Sequence, residues 1–162
     1  MDTKEFLKTL CAARGNSGAE DEAAAVCERL LAPYGKVRRD NLGNVICEVA
    51  PKKGVRHVLL DAHMDQIALI VTHIDENGFV FAMNCGGIDR RSIWGTRVTV
   101  MGKDGEYPGV VCSVPKPLQG DGKQENPKPE DFAMDIGFDK ETAEKLVRPG
   151  DRVMLLGKWQ DM

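Results

Sequence analysis

Apolar residues recur at four-residue spacing near the amino terminus, Phe6 with Leu10 and Leu7 with Cys11, which predicts an amphipathic helix over residues 3–13. Gly15-Asn16 ends it. Ser17-Gly18-Ala19-Glu20 then has the form of a capping box, in which a serine and a glutamate three residues on satisfy orphan amide donors. Ala23, Val26, Cys27, Leu30 and Leu31 continue one apolar face, so a second helix is expected over about residues 19–34, with Gly35 as its stop.

Beyond Gly35 the period changes to two. Strands are expected at 37–40 and 44–50 around the turn Asn41-Leu42-Gly43, and Val58-Leu59-Leu60 reads as a strand buried on both faces. Residues 67–74 and 79–83 pair as a hairpin across Asn77-Gly78. Short strands at 85–88, 97–101 and 109–114, separated by glycine turns, suit a small β-barrel or sandwich. Residues 115–130 hold four prolines and are expected to form a long exposed loop. Asp139 is placed to cap a helix reaching Val147, and 152–156 is the last strand. Two helices leading into strands give an α/β class for the opening segment.

Composition narrows the function. The 162 residues carry a net charge of −3, with 29% charged and 42% apolar residues, the balance of a packed domain. Mild acidity and 6% aromatic content give no reason to bind nucleic acid or an anionic membrane. Five cysteines form no CxxC pair and are odd in number, so free, buried, inert thiols are expected rather than disulfides or a zinc ribbon. No apolar run approaches the ~20 residues a spanning helix needs, and Met1-Asp2-Thr3-Lys4-Glu5 lacks the layout of a signal peptide. The expectation is a soluble, cytoplasmic protein.

Chemistry concentrates in Leu60-Asp61-Ala62-His63-Met64-Asp65. If the strand continues, alternation puts Asp61, His63 and Asp65 on one side, at the carboxyl end where open α/β sheets carry their sites. An imidazole can ligate a divalent metal through one nitrogen while a carboxylate holds its other N–H. His63 is the candidate ligand and Asp65 the candidate orienter. The rival reading is a merely hydrogen-bonded histidine, since a catalytic zinc needs about three protein ligands and no second cluster follows. His57 and His73 read as surface or structural. Asp61 with Asp65 could serve as a glycosidase pair, but sugar-binding aromatics are not nearby.

Five ordered stretches together resemble the N-terminal half of the tetrahedral (glutamyl or deblocking) metallo-aminopeptidase family, known in older usage as cellulase or endoglucanase. They are Gly15-Asn16-Ser17-Gly18-Ala19-Glu20, Asp40-Asn41-Leu42-Gly43-Asn44, Leu60 to Asp65, Gly86-Gly87-Ile88-Asp89, and Asp135-Ile136-Gly137 with Pro149-Gly150-Asp151. The resemblance implies a catalytic α/β domain around a mainly parallel sheet, begun by residues 1–65. It implies an inserted PDZ-like β-barrel for dimer contacts at 66–155, and re-entry toward the catalytic domain at 156–162. It implies peptide substrates, dimers building a dodecamer, and water activated between two divalent metals, zinc or cobalt. His63 matches a terminal metal ligand and the catalytic-site Asp65 its orienter. Gln66 departs from the glutamate many members carry there, and Ala68 from a glycine. The other ligands and the general-base glutamate lie beyond the barrel in the family, and Asp161 is not in the setting of the bridging aspartate. The expectation is therefore an inactive, truncated piece of an aminopeptidase that does not hold metal stably alone. The alternatives are a non-catalytic oligomerisation module and, more weakly, a glycoside hydrolase.

Overall fold

The computed structural model describes residues 2–50, 56–113, 132–155 and 159. The expected loop at 115–130 and the end of the last expected strand lie outside them. The chain divides into two compact units, Met1–Gln66 with Trp159–Met162, and Ile67–Lys158.

In the first unit, α1 spans Thr3–Ala12 and α2 spans Asp21–Leu31. The second helix starts later than the capping box predicts. Asn16 to Ala19 instead forms a tight turn, with Ala19 N–H donating to the Asn16 carbonyl at 2.7 Å and Gly18 at φ 80°. The Glu20 carboxylate accepts from Gly18 N–H at 2.7 Å, so the glutamate stabilises the turn while its own residue caps the helix. Strands β1 (Lys36–Arg39) and β2 (Val45–Glu48) pair antiparallel. Their connection is held by Asp40, whose carboxylate accepts from the N–H groups of Leu42 (3.0 Å) and Asn44 (2.9 Å) and from the Asn44 amide (2.8 Å). Arg39 ties β1 to α2 through Asp21 at 2.9 Å and Glu28 at 3.0 Å.

The expected buried strand at Val58-Leu59-Leu60 is not formed. Residues 56–65 have no helix or strand, and these three side chains are 79%, 86% and 91% exposed. A strand needs a neighbour for its amides, and no described strand pairs with this stretch. The mainly parallel sheet is likewise missing among the described residues; the parallel pairing there is one bridge, Asn16 to Gln66. Three consecutive exposed aliphatic residues favour association. The purified chain is therefore expected to self-associate in light scattering, and Leu59→Asp to shift it toward monomer; a monodisperse wild-type monomer would contradict this.

The second unit is a closed six-stranded barrel in the order β3-β4-β7-β6-β5-β8. The strands are β3 (Ala68–Ile74), β4 (Val80–Cys85), β5 (Arg97–Met101), β6 (Glu106–Val111), β7 (Ala133–Asp135) and β8 (Arg152–Met154). Alternation aims Val98 and Val100 of β5 inward, and a register shift between Val71 and His73 interrupts the pairing of β3 with β4, which resumes at His73 with Phe81 and Ile74 with Val80. Leu69, Val80, Val100, Val111, Phe132, Met134 and Val153 are almost fully buried, and closure leaves no free sheet edge. Strand β6 starts before Pro108, ahead of the expected 109. Its pairing with β7 involves only Val110 and Val111, so the missing proline N–H interrupts no bond there. The expected strand at 85–88 stops at Cys85, where Gly86 takes φ 92°.

The hairpin turn and the last helix follow the sequence closely. Asp75 accepts from the N–H groups of Asn77 and Phe79, both at 2.9 Å, and Gly78 has φ 89°; a Cβ there would collide with the Phe138 carbonyl. Asp139 caps α3 (Lys140–Leu146) by accepting from Thr142 N–H at 2.9 Å.

Three barrel carboxyls sit below the usual range. Arg91 holds Asp89 at about 2, first through its side chain and then its N–H. Thr142 lowers Asp139 through side-chain and backbone hydrogen bonds. Burial pushes Asp75 upward, but the Phe79 and Asn77 N–H groups outweigh it. Depressed carboxyls stabilise the fold when ionised, an effect complete above their unfolded value of about 4 and lost as pH falls through the folded values. The urea midpoint is expected to hold from neutral pH down to about 4 and to decline below, with the Asp89 contribution lost last, near pH 2. A decline already complete by about pH 5 would contradict this.

Candidate functional site

The candidate side chains lie in the first unit, around a cleft of about 530 Å³ lined by residues 61–65 on one side and by Glu20, Asp21, Arg39 and Asn44 elsewhere. His63 is held by the residue two positions on. Its Nδ1 lies 2.9 Å from the Asp65 carboxylate and 3.2 Å from the Asp65 carbonyl oxygen. Both neighbours are acceptors, so Nδ1 carries the proton and donates. The Nε2 lone pair is then left for an external partner, on a side chain that is 86% exposed. That is the arrangement a metal-binding histidine needs, with a carboxylate fixing the tautomer.

His63 therefore fits one metal ligand. A full catalytic set is not assembled: no group of three His, Cys, Asp or Glu side chains that could share an ion occurs among the described residues. Asp61 lines the same cleft and is exposed, but it is not on a strand with His63 and Asp65 as alternation would have placed it. His57 is exposed, and His73 stacks on Phe81 with ring centroids 4.6 Å apart, so neither joins the site. No aromatic residue lines the cleft among the described residues, which leaves a glycosidase reading without a sugar-stacking surface.

The cysteines are less buried than expected. Cys11 is exposed, and the other four are partly buried and unpaired in disulfides. Burial raises the thiols of Cys27 and Cys112, which keeps them in the less reactive protonated form.

Sequence reasoning missed the anchoring of the His63 segment. Gln66 bonds back to residues 13 and 15, about fifty positions away, a contact with no local pattern to announce it. Among the described residues, no helix is long and apolar enough to cross a membrane.

Residues 43–162 match the family model of the M42 glutamyl aminopeptidases. The lysyl aminopeptidase of Pyrococcus furiosus is 29% identical over 160 residues, covering 96% of this chain and 45% of that protein. Among solved structures, the aminopeptidase APDkam598 from the archaeon Desulfurococcus kamchatkensis superposes with a TM-score of 0.87 at 30% identity, covering 98% of this chain and 44% of that one. The TET1 peptidase of Pyrococcus horikoshii, described as assembling into a tetrahedron or a large octahedral shell, has a TM-score of 0.81 at 31% identity, covering 95% of this chain and 46% of that one. The chain thus spans less than half the length of these relatives.

Proposed function

Because the chain belongs to the M42 glutamyl aminopeptidase family, we propose that it serves metal-dependent removal of N-terminal residues from peptides, with His63 as a terminal metal ligand and Asp65 as the residue that orients it. The observation that carries this reading is the 2.9 Å pairing of His63 Nδ1 with Asp65, inside the matched stretch, with Nε2 left free to coordinate. A divalent ion bound there, zinc or cobalt, supplies Lewis acidity toward water and the scissile carbonyl. What this chain's own residues do is narrower. Asp65 fixes the tautomer, His63 presents Nε2, and the acidic groups Glu20, Asp21, Asp61 and Asp65 around the cleft favour cations.

One histidine with one outer carboxylate is too few donors for a catalytic centre. The described residues by themselves are therefore proposed to bind metal weakly, a catalytic centre needing further ligands besides His63. Homo-oligomers and a cytoplasmic setting complete the proposal; the shells described for the TET1 peptidase support the first, and the free thiols the second.

The test is a hybrid in which this chain replaces the matching stretch of the Pyrococcus furiosus relative. Loaded with zinc or cobalt, it should release N-terminal residues from short peptides; a folded, metal-loaded hybrid without activity would contradict the proposal. A second reading, a non-catalytic association module, draws on the barrel's possession of its own closed core. Hybrid activity decides between them.

A further inference from the structure

Gln66 immediately follows the His63–Asp65 pair and makes two hydrogen bonds to the turn after α1. Its main-chain N–H donates to the Gly15 carbonyl at 2.5 Å, and its side-chain Nε2 donates to the Ala13 carbonyl at 2.8 Å. The receiving turn is firmly placed: Ala13 and Asn16 are 4% and 3% exposed, and Ala23 N–H of α2 donates to the Arg14 carbonyl at 3.0 Å. Gly15 closes the contact. A Cβ there would lie 2.7 Å from the Ala23 Cβ and 3.4 Å from the Met64 carbonyl oxygen, so the turn is in close contact with both the helix and the His63 segment. Residues 56–65 have no helix or strand of their own, which leaves their placement to bonds of this kind.

We propose that Gln66 is a positioning residue whose side-chain amide, by donating to the Ala13 carbonyl, clamps the His63–Asp65 segment onto the α1–α2 turn and so maintains the Nδ1–H tautomer of His63. Its importance for hydrolysis rests on the reading of His63 as a metal ligand, but the clamp itself does not. In this chain the bond is made with a side-chain donor. The Ala13 carbonyl can only accept, so a carboxylate of the same shape would set two acceptors against each other. Gln66→Glu makes that change, and Gln66→Met removes the donor at similar volume without adding charge.

The experiment uses the 162-residue chain without metal. Hydrogen exchange is followed for the Gln66 amide, which donates to the Gly15 carbonyl, with barrel amides as the internal reference, and the ring ¹⁵N shifts of His63 are recorded at a pH where the imidazole is neutral. Exchange at Gln66 should rise about tenfold or more in Gln66→Glu and by a smaller factor in Gln66→Met, with barrel exchange unchanged. In both variants the His63 shifts should move from the Nδ1–H tautomer toward the mixture of a free imidazole. Wild-type exchange in both variants would overturn the proposal. Faster exchange with an unaltered His63 tautomer would also overturn it, leaving Gln66 a structural tie with no hold on the pair. Neither readout needs metal or activity, so the clamp can fail while the aminopeptidase reading stands, and the reverse.

Discussion

His63→Ala is expected to abolish metal-dependent peptide hydrolysis in the hybrid enzyme, while Asp65→Asn lowers it by ~10–100-fold, the usual cost of removing a carboxylate behind a metal-bound histidine. On the proposed reading the two side chains would act at different distances from a bound ion: His63 would offer Nε2 directly, whereas Asp65, 2.9 Å from Nδ1, would hold the proton and the ring. Asparagine can still present an oxygen to Nδ1–H, but it lacks the charge that makes the imidazole a stronger donor to metal. Kinetics of the two variants at saturating zinc, with bound metal measured alongside, provide the check. Equal, small losses in both would mean that His63 is not a ligand.

Phe132→Ala should strongly destabilise the barrel unit. Phe132 is completely buried and packs edge-on against Trp94 with ring centroids 5.7 Å apart. Truncating a buried phenylalanine removes its transfer energy and leaves a cavity, together about 3–5 kcal/mol. Small domains are stable by only about 5–15 kcal/mol, so the variant loses a large fraction of the barrel's margin. Urea unfolding followed by circular dichroism reads the change, and a shift below about 1 kcal/mol would show that the surrounding side chains collapse into the space.

The sequence signals that survived folding are local ones. Asp139 announces α3 because a cap needs only a carboxylate and an N–H three residues on, and Asp75 to Gly78 announces the β3–β4 turn in the same way. Strand β7 was hidden behind the proline-rich stretch, although Phe132, Met134 and Ile136 alternate with Ala133 and Asp135 in the pattern of a half-buried strand. The short glycine-separated strands pointed to a small barrel, but its strand order was not legible, since β8 joins β3 and β5 through pairings such as Val153 with Leu69 and with Val100, which depend on residues far apart in the chain. Val58-Leu59-Leu60 misled for a physical reason: apolarity records that a stretch is suited to burial, not that a partner is present to bury it. At the candidate site, His63 and Asp65 were readable from their spacing and from the motifs around them. Gln66 was not, because a clamp onto residues 13 and 15 is tertiary structure.

On the proposed reading, Nε2 of His63 is the metal-facing atom of this chain. Zinc titrated into the ¹⁵N-labelled chain, with the ring nitrogens of all three histidines resolved, tests it most directly. Nε2 of His63 should shift on zinc addition, His57 and His73 should not, and Asp65→Asn should weaken the response. A His63 ring that zinc leaves unchanged, or one that responds no more than His57 and His73, would contradict it.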